Sequence, residues 1–201
     1  MNVTNGQDME ARLRALEAAL ASLHIDHGTS ATSPLKHIWE LQSSSHIFFM
    51  QAGFALVEAG TCRSKNVISI LMKNFIDFIV SAVLWYTLGF GLAFGNAVPT
   101  RGWIGTTHFL GSGLLHGTAV SDELSTFHLQ SMFCATALTI VSGGIAERTD
   151  MRGYLLFSAF MSGVIFPVVV CWCWNPDGWL RNNGFQDLAG SAVVHLTGGC
   201  S

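Results

Sequence analysis

Long apolar segments alternate with short charged segments along most of this chain, and no other feature constrains its fold as strongly. Between residues 67 and 146 only five side chains carry a formal charge: Lys73, Asp77, Arg101, Asp122 and Glu123. Charged residues form 11% of the whole chain, whereas a typical soluble domain has about 25%. Apolar segments separated by charged ones are typical of a protein that crosses a lipid bilayer several times. The pattern therefore predicts an all-α, multi-pass transmembrane protein.

The charge balance and the cysteines exclude several classes of partner. The formal net charge is −3 at pH 7, and no basic stripe is present that would follow a nucleic-acid backbone. The five cysteines show neither zinc-ligand spacing nor a disulfide framework. We therefore expect no nucleic acid, no metal and no cofactor to bind this chain.

Three apolar segments are long enough to cross a bilayer, namely residues 67–94, 127–146 and 153–174. An earlier run, residues 47–60, is short and follows a polar stretch, so it predicts only a weak first span. The last run begins at Leu188 and stops at Ser201. As a helix, about 14 residues rise about 21 Å through a hydrocarbon core of about 30 Å. We therefore expect the chain to be a fragment or a truncated product, with its last helix cut short.

Residues 1–36 differ from the rest and predict an extramembrane N-terminal segment, followed by a partial transmembrane domain over residues 37–201. Apolar residues recur every three or four positions near the start, at Met9, Leu13, Leu16, Leu20 and Leu23. This spacing predicts a short amphipathic helix. Such a helix either lies on a surface or self-associates, and two heptads do not distinguish these alternatives.

Basic residues near the apolar segments predict the orientation of the chain. Arg63 and Lys65 follow the run of residues 47–60, and Arg148 and Arg152 follow the segment of residues 127–146. Loops with this excess face the cytoplasm, which places the N-terminus outside. Asn2 begins an N-x-Thr sequon and is then a glycosylation candidate. We expect an integral protein of the plasma membrane with an extracytoplasmic N-terminus.

Ionisable residues inside apolar segments either pair with one another or line a pathway. Lys73 and Asp77 are four residues apart, so the spacing predicts an ion pair on one helix face. Glu58 lies near the cytoplasmic end of the first run, where it is expected to cap the helix or to pair with Arg63.

Four further residues have two interpretations each. Asp187 precedes the last apolar run, where it either caps a helix or attracts a cation. His195 follows eight residues later, about two helical turns into the run, and either packs or lines a path for a hydrogen-bonding solute or a proton. Trp174 is either an interfacial anchor or a cation-binding ring, and the same choice applies to Phe133. Spacing alone does not decide between these roles.

Several ordered strings resemble the ammonium transporter (Amt/Mep/Rh) family, and the Amt branch most closely. The first is Phe-Phe-Met-Gln-Ala-Gly-Phe-Ala-Leu-Val-Glu-Ala-Gly at residues 48–60, which leads into Arg-Ser-Lys-Asn at residues 63–66. Leu-Gly-Phe-Gly-Leu-Ala-Phe-Gly follows at residues 88–95, and Thr-Ile-Val-Ser-Gly-Gly-Ile-Ala-Glu-Arg at residues 139–148. Asp-Leu-Ala-Gly-Ser-Ala-Val-Val-His at residues 187–195 completes the series. The resemblance covers the N-terminal half of such a protein.

The resemblance implies an eleven-helix transmembrane fold built from two inverted halves, assembled as a homotrimer with one pore in each subunit. Trp174 matches the tryptophan of the outer vestibule, and Phe133 matches one phenyl ring of the pore gate. Asp187 matches the carboxylate that supports the recruitment site. His195 matches the first of two pore histidines. The resemblance thus implies that Trp174, Phe133 and Asp187 bind substrate and that His195 and Phe133 line the conduction path.

Transport of ammonium or ammonia is the leading prediction, with methylammonium as an analogue. The alternative is a non-conducting truncated subunit or gene fragment that only associates with full-length subunits. A third hypothesis is a sensor that binds ammonium and signals. It would need a cytoplasmic output domain, and none is expected within these residues. An enzyme is not expected, because Asp187 and His195 have no nucleophile or metal ligand at a useful spacing.

Overall fold

The computed structural model describes residue 12 and residues 32–112, 114 and 120–201. Asn2 and most of the predicted N-terminal amphipathic helix lie outside these residues. The chain divides into two units, residues 1–40 and 41–201. In the first unit, Lys36 and Glu40 form an ion pair with an N–O distance of 3.9 Å. The described part of the chain is helical and contains no strand.

Helix α1 spans Thr32–Thr61, so it begins within the Ser/Thr-rich stretch that precedes the predicted membrane domain. The other α-helices are α2 Val67–Leu84, α3 Phe90–Phe94, α4 Val120–Ile145, α5 Met151–Phe160, α6 Phe166–Trp174, α7 Trp179–Asn182 and α8 Thr197–Cys200. π-Helical turns occupy Trp85–Gly89, Met161–Ile165 and Ser191–Leu196, and short 3₁₀ turns occupy Ser64–Asn66, Val98–Thr100 and Phe109–Gly111.

Three helical segments are long and apolar enough to cross a membrane: Ser64–Phe94, Glu123–Ile145 and Met151–Asn182. They confirm the three spans predicted from the sequence. Helices suit these segments because a bilayer offers no water to backbone N–H and C=O groups, which therefore bond within the helix. Helix α1 has 30 residues, about 45 Å at 1.5 Å per residue, so its length exceeds the apolar run of residues 47–60.

The core lies where α2, α3, α4, α6 and the helical segment of residues 191–200 meet. Its largest fully buried side chains include Trp85, Phe166, Leu138 and Met161. Gly198 allows the last segment to approach α4 closely, since a Cβ atom there would lie 2.8 Å from the carbonyl oxygen of Ala137. This contact sets the position of the segment that carries His195.

Glu147 joins two loops at one end of the bundle. One carboxylate oxygen accepts the backbone N–H of Arg63 at 2.9 Å and the side-chain amide of Asn66 at 2.6 Å, and the other lies 3.8 Å from the Arg63 guanidinium. The backbone N–H of Arg63, followed by the Asn66 amide, lowers the pKa of Glu147. The two loops predicted to be cytoplasmic from their basic residues are therefore at the same end.

The intramembrane charges pair differently from the sequence prediction. Lys73 lies 3.3 Å from a Glu58 oxygen and donates to the Ser142 carbonyl. Asp77 instead accepts hydrogen bonds from Tyr154 and Ser158. The predicted Lys73–Asp77 ion pair is thus wrong, because the Lys73 ammonium reaches a carboxylate on a neighbouring helix.

Glu58 also lacks its predicted contact with Arg63. It accepts from Asn74 at 2.9 Å and from the Ser142 hydroxyl at 2.7 Å, in addition to pairing with Lys73. Its exposed fraction is 6%, so these bonds satisfy a charge that burial would otherwise make costly. Its partners come from two other helices, α2 and α4, which a spacing argument along one helix does not detect.

Candidate functional site

Trp174 ends helix α6 at the end of the bundle opposite Glu147. The chain leaves the helix at Asn175, which has an extended backbone (φ −63°, ψ 136°) and precedes Pro176. A residue before proline avoids the helical region, which explains the stop. The buried Asn175 side chain donates to the carbonyl oxygens of Ala93 and Gly95 at 2.8 and 3.0 Å. These bonds fix the helix end, and Trp174 with it.

The aromatic rings of Trp174 and Phe133 are in contact. Their centroids are 5.6 Å apart and their planes are inclined by 59°. Both residues are half-buried and pack against the hydrophobic core. The structure therefore brings together the two aromatic residues that the sequence singled out from different helices, α6 and α4.

Asp187 connects Trp174 to the segment that carries His195. Its Oδ2 atom accepts the indole N–H of Trp174 at 3.2 Å, and its Oδ1 atom accepts the backbone N–H of Ala192 at 2.8 Å. The sequence placed Asp187 at the N-cap position, whereas the N-cap residue of the Ser191–Leu196 turn is Gly190, with φ +76°. Asp187 supplies the capping oxygen from three residues upstream.

A cavity of about 500 Å³ opens beside these residues. Trp174 and Asp187 line it, together with Arg181 and Phe185. The Arg181 guanidinium donates to the carbonyl oxygen of Trp174. The ring, N–H and C=O groups of Trp174 thus all have defined partners, which holds the indole in one orientation at the cavity wall.

His195 lies only about one turn into its helical segment, rather than the two turns expected from the sequence. The reason is that residues 187–190 are not helical: Ala189 and Gly190 both have positive φ angles, and the helix begins at Ser191. The carbonyl oxygen of Gly190 lies 3.2 Å from His195 Nδ1. A donating Nδ1–H leaves Nε2 as the acceptor.

The ring of His195 is exposed and makes no aromatic contact with Phe133 or Trp174 in the described part of the chain. The structure therefore joins Trp174, Phe133 and Asp187 directly, and His195 only through the backbone of residues 187–194. Among the described residues, no group of three His, Cys, Asp or Glu side chains is arranged to hold a metal ion.

Sequence reasoning missed the roles of Asn175 and Arg181, which hold Trp174 in place. It also missed a second set of polar contacts, in which Gln51 bonds to Thr136 and Thr139 of α4 at 3.4 and 2.7 Å. Thr136 and Thr139 are three residues apart, and Ser142 follows after three more. Residues at this spacing are neighbours on a helix surface. That repeat was the available signal for a polar contact between helices.

Comparisons with known proteins agree with this architecture. Residues 38–201 match the model of the Ammonium Transporter Family. The chain is 42% identical over 173 residues to a putative ammonium transporter of Synechocystis sp., covering 80% of this chain and 30% of the relative. It is 41% identical over 176 residues to ammonium transporter Amt2 of Archaeoglobus fulgidus, covering 83% and 36%.

Two solved structures share the fold. One, described as a sensor Amt protein, has a TM-score of 0.77 and 37% identity over 83% of this chain and 42% of that chain. Saccharomyces cerevisiae Mep2 has a TM-score of 0.73 and 29% identity over 82% and 37%. The chain spans about a third of the length of the curated relatives it matches.

These findings confirm the all-α transmembrane fold and the resemblance to the N-terminal part of Amt-type proteins. They also confirm that the relatives are transporters rather than enzymes. With most of its length matched by one family model and its helices superposing on solved Amt and Mep structures, the chain belongs to the ammonium transporter family.

Proposed function

We propose that this chain takes part in transporting ammonium or ammonia across a membrane, with an outer recruitment site at Trp174, Phe133 and Asp187 and a conduction path that passes Phe133 and His195. The observation that carries this proposal is the ring pair of Trp174 and Phe133, 5.6 Å apart and tied to a carboxylate. Trp174 and Asp187 line a cavity of about 500 Å³, and Phe133 packs against Trp174 behind it.

The ring pair suits a small cation. The face of an aromatic ring carries partial negative charge, and tryptophan attracts cations most strongly. Asp187 adds a negative charge close to the indole, and its two hydrogen bonds hold the ring and the following helical turn in place. Asp187 therefore supports recruitment by its charge and by positioning Trp174.

His195 is suited to conduction, the step that follows recruitment. Its Nδ1 atom faces the Gly190 carbonyl, so a neutral ring presents Nε2 as an acceptor. Such a nitrogen accepts a hydrogen bond from ammonia or ammonium, or a proton. In a complete transporter the second half would cover the exposed face of His195 and supply the other wall of the path.

We further propose that the Glu147 end of the bundle faces the cytoplasm and the Trp174 end faces outward, in the plasma membrane. The basic residues near Glu147 support this orientation. It leaves the N-terminus outside and Asn2 available for glycosylation. Exposed apolar side chains of α2, such as Ile68, Phe75 and Val83, then contact lipid or the other subunits of a homotrimer. Residues 1–36 would remain outside the membrane domain of residues 37–201.

Uptake of labelled methylammonium tests the proposal, in yeast cells that lack their own ammonium transporters. We expect uptake that is competed by ammonium, and that Trp174→Leu raises the half-saturation concentration about fivefold to thirtyfold, as loss of about 1–2 kcal/mol of cation–π attraction implies. Trp103→Leu is the matched control, because Trp103 stacks on Trp179 and does not contact Phe133. Equal effects of the two variants would contradict a special role of Trp174.

A non-conducting subunit is the second candidate function. The exposure of His195 favours this candidate when the polypeptide acts without a partner. One wall of the conduction path is then open in the described residues. In that case the cells show no uptake, while the chain co-purifies with a co-expressed full-length relative. Uptake that disappears in His195→Ala would contradict this candidate.

A further inference from the structure

Ammonium has four N–H groups, and the recruitment site leaves few oxygen atoms to accept them. Both Asp187 oxygens already accept protein N–H groups, and the carbonyl oxygen of Trp174 accepts from Arg181. The aromatic rings attract the positive charge but replace only part of the lost hydration. A buried polar group without a hydrogen-bond partner is costly, so an ion that leaves water here needs a further acceptor.

Gln130 carries such an acceptor. Its Oε1 atom is buried and has no hydrogen-bond partner in the described part of the chain. The large majority of buried side-chain polar atoms in proteins have at least one hydrogen-bond partner. The residue lies on α4, three positions before Phe133 and therefore one turn nearer the Trp174 end of the bundle. The Oε2 atom of Glu123, two further turns along the same face, is likewise buried and unpartnered.

Gln130 shares one face of α4 with Phe127 and with Phe133, which belongs to the ring pair. Residues three apart on a helix are rotated by about 60° from each other, so Gln130 lies between Phe127 and Phe133. The ring of Phe127 contacts Phe90 at 5.2 Å, and the ring of Phe133 contacts Trp174 at 5.6 Å. The face of α4 that bonds to Gln51, which includes Thr136 and Thr139, points elsewhere.

We propose that the side-chain oxygen of Gln130 accepts a hydrogen bond from ammonium as the ion approaches Phe133 and Trp174. This inference rests on the proposed function and names a specificity-determining residue for it. Each N–H group of ammonium is a donor, and a planar amide oxygen accepts such a group in a defined direction. The amide is neutral, so the ion is oriented without being trapped by a second charge.

The test measures ligand binding by the purified chain in detergent. Ammonium chloride and methylammonium chloride are titrated at constant ionic strength with sodium chloride, and the thermal unfolding midpoint gives each half-saturation concentration. Gln130→Met keeps the length of the side chain but removes the acceptor. We expect it to raise the ammonium half-saturation about tenfold, since a hydrogen bond to a charged group contributes at least that factor.

Methylammonium makes the test specific. Its methyl group can pack against the apolar side chain of Gln130→Met, so we expect its binding to weaken less and the preference for ammonium over methylammonium to fall. Gln130→Glu retains an acceptor oxygen and is expected to bind ammonium at least as tightly as the unmodified chain. Gln51→Met is the matched control: it removes an amide that bonds to Thr136 and Thr139, so it lowers the unfolding midpoint and leaves both half-saturations unchanged.

The outcomes separate the two proposals. If the unmodified chain binds neither ligand, the recruitment site itself is refuted, and the role of Gln130 with it. If the unmodified chain binds ammonium but Gln130→Met changes neither its half-saturation beyond about twofold nor the preference between the ligands, only the role of Gln130 is overturned. Equal weakening of Gln130→Met and Gln130→Glu would also overturn it.

Discussion

Replacing Asp187 by asparagine separates two contributions of this residue, its charge and its two hydrogen bonds. Both carboxylate oxygens accept N–H groups, from Trp174 and from Ala192. Asparagine has one oxygen and one NH₂ group in the same positions, so it can serve only one of the two donors. The protein N–H group that is left over then faces the NH₂ group of asparagine, which is itself a donor.

The distances indicate which bond is lost. The Ala192 N–H lies 2.8 Å from its acceptor and the Trp174 N–H lies 3.2 Å away, so the asparagine oxygen is expected to turn towards Ala192. The indole of Trp174 then loses its partner. A hydrogen bond to a charged group contributes about 1.5–3 kcal/mol, and we expect Asp187→Asn to lower the free energy of unfolding by about that amount. We expect the ammonium half-saturation to rise at least about tenfold.

The assay is thermal and denaturant unfolding of the purified chain, followed by tryptophan fluorescence with and without ammonium. Asp177→Asn is the matched control. It removes a carboxylate from the same outer loop, whereas the hydrogen bond of that residue to Asn175 uses its backbone N–H. If Asp187→Asn matched the control in unfolding free energy and in ammonium dependence, the positioning of Trp174 by Asp187 would be refuted.

Two further predictions concern polar groups away from the recruitment site. Lys73→Met leaves the buried Glu58 carboxylate without its cation. We expect the free energy of unfolding, measured by denaturant titration, to fall by about 3–5 kcal/mol. A loss below about 1 kcal/mol would show that the pair is effectively solvated. The lowered pKa of Glu147 stabilises the folded chain above the ordinary carboxyl range, and this contribution is lost as the pH falls through the lowered pKa. The difference in unfolding midpoint between the unmodified chain and Glu147→Gln should therefore shrink on acidification, and a constant difference from neutral to acidic pH would contradict the role of this carboxylate.

Much of the fold could be predicted from single segments. Apolar runs identified three membrane helices because the bilayer imposes a minimum length and a lack of charge on each segment separately. The same reasoning underestimated α1, where polar residues such as Gln51 and Glu58 interrupt the apolar run. These residues bond to Thr139 and Ser142 on α4, so their polarity marks a contact between helices rather than the end of one.

The sites were predictable to different degrees. Trp174, Phe133, Asp187 and His195 were identified from ordered strings, but their mutual distances depend on three separate helical segments. The depth of His195 was misjudged because an apolar run was taken as a continuous helix, whereas Ala189 and Gly190 turn the chain through positive φ angles. Hydrophobicity does not report backbone dihedral angles, so a run of this kind hides such a turn.

By itself, the sequence determined that this chain is a helical membrane protein and that it belongs with the ammonium transporters, because apolar length and ordered motifs are properties of the linear chain. Tertiary structure alone decided which charges pair and that Asp187 holds Trp174 against Phe133. It also decided that Gln130 keeps a buried oxygen with no partner among the described residues. Those outcomes depend on how neighbouring helices are rotated and spaced. Contacts between residues far apart in the chain set that geometry, such as the close approach of Gly198 to Ala137.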